Sequence, residues 1–286
     1  MTQPLTFSEL VDRSYKAMQP LLKTYILGAL LLIIVSLIFR GIGGGLIALA
    51  DHPAVQENLV LVLTAVIIGF LCTIVSVIVQ MAQNIYALVI AVDRTKNVKA
   101  GIRKTFQYLW RLLLGGIWIM LRSFGWISVF GLPFFILGAN GNNGMILIGG
   151  IIVLVGIVCA LYFLPMLAYT NIIQLKDGTG VRESAELSLK RTQGYWGKIV
   201  GNNLLVGLCI GLTTVAIVAV VALLGFMLLS MLQSLNTTMM IVIGTPIGLI
   251  VGIAAMIYFF AITLFAQLFM VELYETIKAH PKITAS

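Results

Sequence analysis

Six apolar runs, each long enough to cross a bilayer as a helix, constrain this chain more than any other feature. They cover residues 25–50, 59–92, 112–138, 145–175, 199–232 and 239–274, and about 20 apolar residues in a helix cross the roughly 30 Å hydrocarbon core. Lipid offers no hydrogen-bond partner to an unpaired peptide group, so runs of this kind are expected to be helices. The composition agrees: 60% of residues are hydrophobic, 10% are charged and the mean hydropathy is +1.08. A soluble domain, with about a quarter of its residues charged, is excluded, and so is a disordered chain. The expected fold class is all-α, a single polytopic membrane bundle of six transmembrane helices over residues 1–286.

Charge sets the expected orientation. The connections 51–58, 139–144 and 233–238 hold no Lys or Arg, whereas sixteen of the eighteen basic residues lie before the first run, in the two long connections or after the last run. Basic residues in short loops stay on the cytoplasmic side, so both termini and both long connections are expected there, with the chain multi-pass in the plasma (inner) membrane. Eight acidic residues on the same side leave it at +8. The segment before Tyr25 carries charges and no apolar core, which predicts an uncleaved first span rather than a signal peptide.

Each odd-numbered run follows a short charged segment with apolar residues four apart: Phe7, Val11 and Tyr15; Val98, Ile102 and Phe106; Val181, Ala185 and Leu189. That spacing predicts three amphipathic interfacial helices. Thr6 and Glu9 have capping-box spacing, and Asp177, Gly178 and Gly180 interrupt the chain before the third copy. Tyr25, Trp110 with Tyr108, and Trp196 with Tyr195 are expected at headgroup level. The unit is then an interfacial helix plus a helical hairpin, repeated over 5–93, 97–176 and 180–278. The second run, 34 residues, would reach about 51 Å at roughly 1.5 Å per residue, so the even-numbered spans are expected to extend into the cytoplasm.

The stretch from Glu183 through Leu187, Leu189, Arg191 and Tyr195 to Trp196, with the closing Val271, Glu272, Leu273, Tyr274, Glu275, Thr276, Ile277 and Lys278, resembles a group of bacterial six-helix membrane proteins. They are similar to the membrane domain of glycerophosphoryl diester phosphodiesterases. The resemblance implies a six-helix module of the bacterial plasma membrane with a lipid- or envelope-related role. In those phosphodiesterases a soluble catalytic domain follows the membrane domain, and the sequence up to Ser286 contains none, so no phosphodiesterase activity is expected.

Arg122 is the sharpest candidate functional residue, about 15 Å into its span, with no Asp or Glu at that depth. A central Arg costs roughly 2.5–3.5 kcal/mol on insertion scales and needs acceptors or water. It is either a ligand for an anionic headgroup or solute, or a structural residue bonded to helix carbonyls or snorkelling along a tilted helix. Gln83 and Asn84 (with Gln80), Asn171 (with Thr170), Asn202, Asn203 and Gln267 cluster near the inner boundary. They line a polar vestibule or act as interhelical hydrogen bonds. Gly244, Gly248 and Gly252, and Gly207 with Gly211, predict close helix packing, and Pro165 and Pro246 predict kinks.

No nucleophile–base set, intramembrane carboxylate pair, phosphate-cradling loop or zinc motif is present, so a non-enzymatic protein without catalytic residues, metal or cofactor is expected. The expected partners are membrane lipids, anionic at the cytoplasmic leaflet, not nucleic acid; a membrane protein partner or a homo-oligomer is also compatible. The alternatives to a lipid-related role are a small-solute transporter or channel component and a structural subunit of a membrane complex.

Overall fold

The computed structural model describes residues 5–56, 58–138, 143–232 and 237–280, and the ordered elements among them are all helical. In chain order they are α1 (Phe7–Ala50), α2 (Pro53–Gln56), α3 (Leu59–Asp93), α4 (Val98–Gly138), α5 (Asn143–Leu167), α6 (Thr170–Asp177), α7 (Val181–Thr192), α8 (Trp196–Leu232) and α9 (Thr237–Ala279). Among the described residues, five stretches are long and apolar enough to cross a membrane: Phe7–Ala50, Leu59–Asp93, Gly144–Asp177, Trp196–Met227 and Gly244–Ala279. The chain thus has the helices of a multi-pass membrane protein. The third expected run, 112–138, lies within α4, a continuous helix of 41 residues that is not among those five.

Two compact units are distinguished, one of Met1–Met18 with Arg191–Ser286 and the other Gln19–Lys190. In the Gln19–Lys190 unit, the part of α1 after Met18 lies against α3 along a line of small residues. Gly43 and Gly69 let the two backbones meet, and Ser36 Oγ lies 2.9 Å from Ser76 Oγ, with each hydroxyl also within reach of the other residue's carbonyl. Lower on the same pair, Tyr25 stacks on Tyr86 at 5.8 Å, and Tyr86 donates to the Thr24 carbonyl at 3.1 Å. Asn58 caps α3 by accepting from Val60 and Leu61, and α3 ends at Arg94, whose φ of 51° turns the chain into α4. Glycine at 138 lets α4 and α5 close at their hairpin, where a Cβ would lie 2.4 Å from Ile146.

The other unit joins the N-terminal turn of α1 to α8 and α9. Thr6 and Glu9 form the expected capping box: the Thr6 N–H donates to Glu9 Oε2 at 2.7 Å and the Glu9 N–H to Thr6 Oγ1 at 3.4 Å. Phe7 meets Phe269 edge-on at 5.9 Å, and Lys198 Nζ donates to the Leu5 carbonyl at 2.9 Å. Arg191 donates to the Tyr274 hydroxyl and lies over its ring, and Tyr195 donates to the His280 carbonyl. Further along, Thr214 and Tyr258 pair across α8 and α9 at 3.2 Å.

Burial is uneven along every long helix. On α3, residues from Tyr86 to Ala91 are buried while Leu59 and Val60 are exposed; on α9, Phe260, Leu264 and Leu268 are buried while Leu249 and Ile250 are exposed. On α8, Ile199 and Asn202 are buried and Leu204, Leu208 and Leu212 are exposed. Apart from Arg40 and Arg122, the Lys and Arg of the described residues lie at the packed ends; away from them the long helices expose much apolar surface, which in water is untenable and in lipid is solvated.

Several local expectations are corrected. The first two charged segments are not separate interfacial helices but the starts of α1 and α4; the third alone is distinct, α7 being cut from α8 where Gly194 adopts a φ of 79°. The inward stripe is also rotated by three residues from the apolar one read from the sequence. Leu10, Ser14 and Met18, then Gly101, Thr105 and Leu109, then Ser184, Ser188 and Thr192 are buried, whereas Tyr15 and Phe106 are exposed; in the third segment Ala185 of the expected stripe is buried as well. Small hydroxyl residues fit this face because Ser14 and Thr105 bond back to the carbonyl four residues earlier. Tyr25 and Tyr195 are buried in the packed ends, although Trp110 is exposed as an interfacial residue requires.

The fourth run, expected as one span over 145–175, is one apolar stretch long enough to cross, Gly144–Asp177, interrupted by a two-residue turn between α5 and α6. Pro165 removes the N–H that would bond one turn back, α5 ends at Leu167, and α6 begins at Thr170. Pro246, in contrast, lies inside an uninterrupted α9. The difference has a visible partner: the buried Ser188 hydroxyl of α7 donates to the Met166 carbonyl at the break. Ser188→Ala is expected to orphan that carbonyl and cost about 1–3 kcal/mol. Thermal unfolding of the purified variant in micelles checks this, and an unchanged midpoint would assign no capping role to Ser188.

Candidate functional site

The seven candidate residues divide between the units. In Gln19–Lys190, Gln83 is half-buried and Asn84 exposed on α3, Asn171 is half-buried on α6, and Arg122 is exposed on α4 beside the exposed Met120 and Leu121. In the other unit, Asn202 is buried and Asn203 half-buried on α8, and Gln267 is half-buried on α9. Asn171 is gathered with polar neighbours; no hydrogen bond joins it to Gln83 or Asn84 among the described residues.

The gathering residue is one the sequence reading passed over, Gln174. It follows Asn171 by three residues and Thr170 by four, so all three occupy one side of α6. Opposite lies Gly115 of α4, where a Cβ would stand 2.6 Å from Gln174 Nε2 and 2.9 Å from Asn171 Oδ1. Thr170 and Gln174 are fully buried, and Thr170 Oγ1, Asn171 Oδ1 and both polar atoms of Gln174 lack a protein partner. The signal was present as an amide and a hydroxyl at helical spacing, but only the tertiary structure sets them against a glycine.

In the second unit Asn202 Nδ2 and Asn203 Oδ1 are likewise buried without a protein partner. Consecutive helix positions point about 100° apart, so these two amides address different neighbours.

Around these polar groups the packed ends carry exposed cations. Lys23, Lys96, Lys99, Arg103 and Lys104 are exposed in one unit, and Arg13 and Lys16 in the other. Few are neutralised at short range: Lys104 lies 2.8 Å from Asp93 and Lys16 2.7 Å from Asp12. The hydrogen bond to Asp93 holds the Lys104 ammonium above its ordinary pKa, so it stays charged throughout the physiological range. Arg111 is used differently, donating to the carbonyls of Gly178 and Thr179 and so fixing the turn between α6 and α7. Arg40 is exposed beside Gly41 near the far end of α1.

Among the described residues no group of three or more His, Cys, Asp or Glu side chains is placed to hold a metal, and Cys72, Cys159 and Cys209 are free thiols. Comparison with known proteins returns no family model, no curated protein and no solved structure that matches this chain.

Proposed function

We propose that this chain is a non-enzymatic, multi-pass protein of the plasma (inner) membrane with a lipid- or envelope-related role. It crosses six times, with α4 supplying the third span at 112–138, and keeps both termini and its basic connections in the cytoplasm. The observation that carries the reading is the polarity of each unit: packed ends ringed by exposed Lys and Arg, opposite ends apolar and exposed. Anionic headgroups are the natural counter-charge, each juxtamembrane cation contributing about 1 kcal/mol near such a surface.

The threefold repeat belongs to the same proposal. Ser14, Thr105 and Ser188 hold the same register in their three segments and are all fully buried hydroxyls, which supports a common unit. The sequence likeness to the membrane domain of glycerophosphoryl diester phosphodiesterases supports a place in lipid handling.

Reconstitution tests the charge argument. In nanodiscs of phosphatidylglycerol the protein is expected to unfold at a higher temperature than in phosphatidylcholine, with the gap shrinking as salt shortens the Debye length from about 10 Å at 0.1 M to about 3 Å at 1 M. Equal midpoints at low salt would contradict it.

A second reading, a small-solute transporter or channel component, draws on the broken α5–α6 helix and the unpartnered buried amides beside it. Solute flux into proteoliposomes, absent from protein-free vesicles, would favour it over the lipid role.

A further inference from the structure

Four polar atoms on one side of α6, Thr170 Oγ1, Asn171 Oδ1, Gln174 Oε1 and Gln174 Nε2, are buried with no protein partner. Leaving such atoms unpaired forfeits their solvation with nothing in return, and in native proteins nearly all buried polar groups are bonded either to protein or to ordered water. Four together on an eight-residue helix are too many to leave unpaired. The wall that Asn171 and Gln174 face is also unusual. Gly115 presents bare backbone, since a Cβ there would fall 2.6 Å from Gln174 Nε2 and 2.9 Å from Asn171 Oδ1. The glycine therefore makes room for the amides without offering a side chain to bond them.

The chemistry of the atoms narrows the partner. The two amide oxygens only accept, the amide nitrogen only donates and the hydroxyl does either. A group that satisfies them must both donate and accept, and a hydroxyl oxygen does so. Thr170, Asn171 and Gln174 carry no charge, and Arg111, one turn before Gly115, is committed to the carbonyls of Gly178 and Thr179. An ion would therefore be poorly compensated in so buried a place. Water is the smallest hydroxyl species, and buried waters in proteins make about three such bonds.

We propose that Thr170, Asn171 and Gln174 bind ordered water against the bare backbone of α4 at Gly115, forming a hydrated joint between α6 and α4. The joint sits just after the Pro165 break, where α6 has lost the support of a continuous helix and needs another attachment. It stands on the Gln19–Lys190 unit alone and does not depend on the lipid reading.

The sign of one stability change tests it. Gln174→Met in the full chain, in dodecyl maltoside micelles, replaces the amide by an apolar group of similar size. If water bridges the cluster, Met expels it and orphans Asn171 Oδ1 and Thr170 Oγ1, so the unfolding midpoint falls; adding Asn171→Leu recovers part of the loss. If the cluster is dry, Met removes two unpaired atoms and the midpoint rises. A raised or unchanged midpoint overturns the proposal. So does a stabilisation of the wild type by NaCl or KCl over choline chloride that vanishes in Gln174→Met, which would assign the site to a cation. Should the variant not fold, a high-resolution map of the wild type decides. A density peak in hydrogen-bonding reach of Asn171 Oδ1 and Gln174 is expected, and direct dry packing there overturns the joint.

Discussion

Gly28→Ala is expected to destabilise the Gln19–Lys190 unit by about 3 kcal/mol or more, at the upper end of what overpacking a core costs. A Cβ at position 28 would stand 2.2 Å from the Tyr86 hydroxyl oxygen and 2.3 Å from Cζ. The ring has nowhere to go. Tyr86 is fully buried, stacks on Tyr25 at 5.8 Å and donates to the Thr24 carbonyl at 3.1 Å. Its other edge meets Gly101 of α4, where a Cβ would lie 2.9 Å from Cε2. One methyl group must therefore break a hydrogen bond and push on two helices at once. Tyr86→Phe alone removes only the hydroxyl and is expected to cost about 1 kcal/mol. Combined with Gly28→Ala, Tyr86→Leu is expected to recover much of the loss, because neighbouring sites that share a clash are non-additive. Thermal unfolding of the set in micelles measures this; a Gly28→Ala protein as stable as the wild type would refute the close approach.

The second large effect is expected at the crossing of α1 and α3. A Cβ at Gly43 would fall 2.8 Å from the Gly69 carbonyl oxygen, and one at Gly69 would fall 2.9 Å from the Gly43 oxygen and 2.8 Å from Ile47 Cγ1. Carbonyl oxygens cannot swing aside as a side-chain end does. Gly69→Leu therefore has to separate the helices, which also pulls Ser36 from Ser76, and a loss of about 2–3 kcal/mol is expected. Gly44→Ala and Gly45→Ala, where nothing lies within 4 Å, are expected to change stability by no more than about 0.5 kcal/mol. Indistinguishable behaviour of Gly69→Leu and Gly44→Ala would contradict the crossing.

This contrast marks where the sequence ceases to be informative. Hydropathy reveals long apolar helices because each must hide its own backbone from lipid, and the Thr6–Glu9 cap is legible because it is local. Glycine spacing is not, since it records which helix faces are small without recording which find a neighbour. Gly207, Gly211, Gly248 and Gly252 have the regular spacing yet meet nothing within 4 Å, whereas Gly28, Gly101 and Gly115, outside any such stripe, sit against Tyr86 and Gln174.

The inward face of the first two charged segments is hidden from the sequence for a related reason. Apolar residues in a membrane protein are as comfortable against lipid as against protein, so Tyr15 and Phe106 point out while the smaller Ser14 and Thr105 pack inside. Part of the candidate polar set was legible: Asn171, Asn202 and Asn203 all carry buried atoms without protein partners. Asn84 is indistinguishable from them in sequence but is exposed, whereas Gln174, two residues before the exposed Lys176, is fully buried.

On the proposed lipid reading, the exposed Lys and Arg of the packed ends meet anionic headgroups, and Arg122, exposed on α4, is the candidate headgroup ligand. The most direct measurement is mass spectrometry of the lipids retained by gently purified wild-type protein and by Arg122→Ala, prepared side by side. Selective retention of an anionic lipid, diminished in Arg122→Ala, is the predicted result. Unselective lipid, the same in both preparations, would contradict the claim.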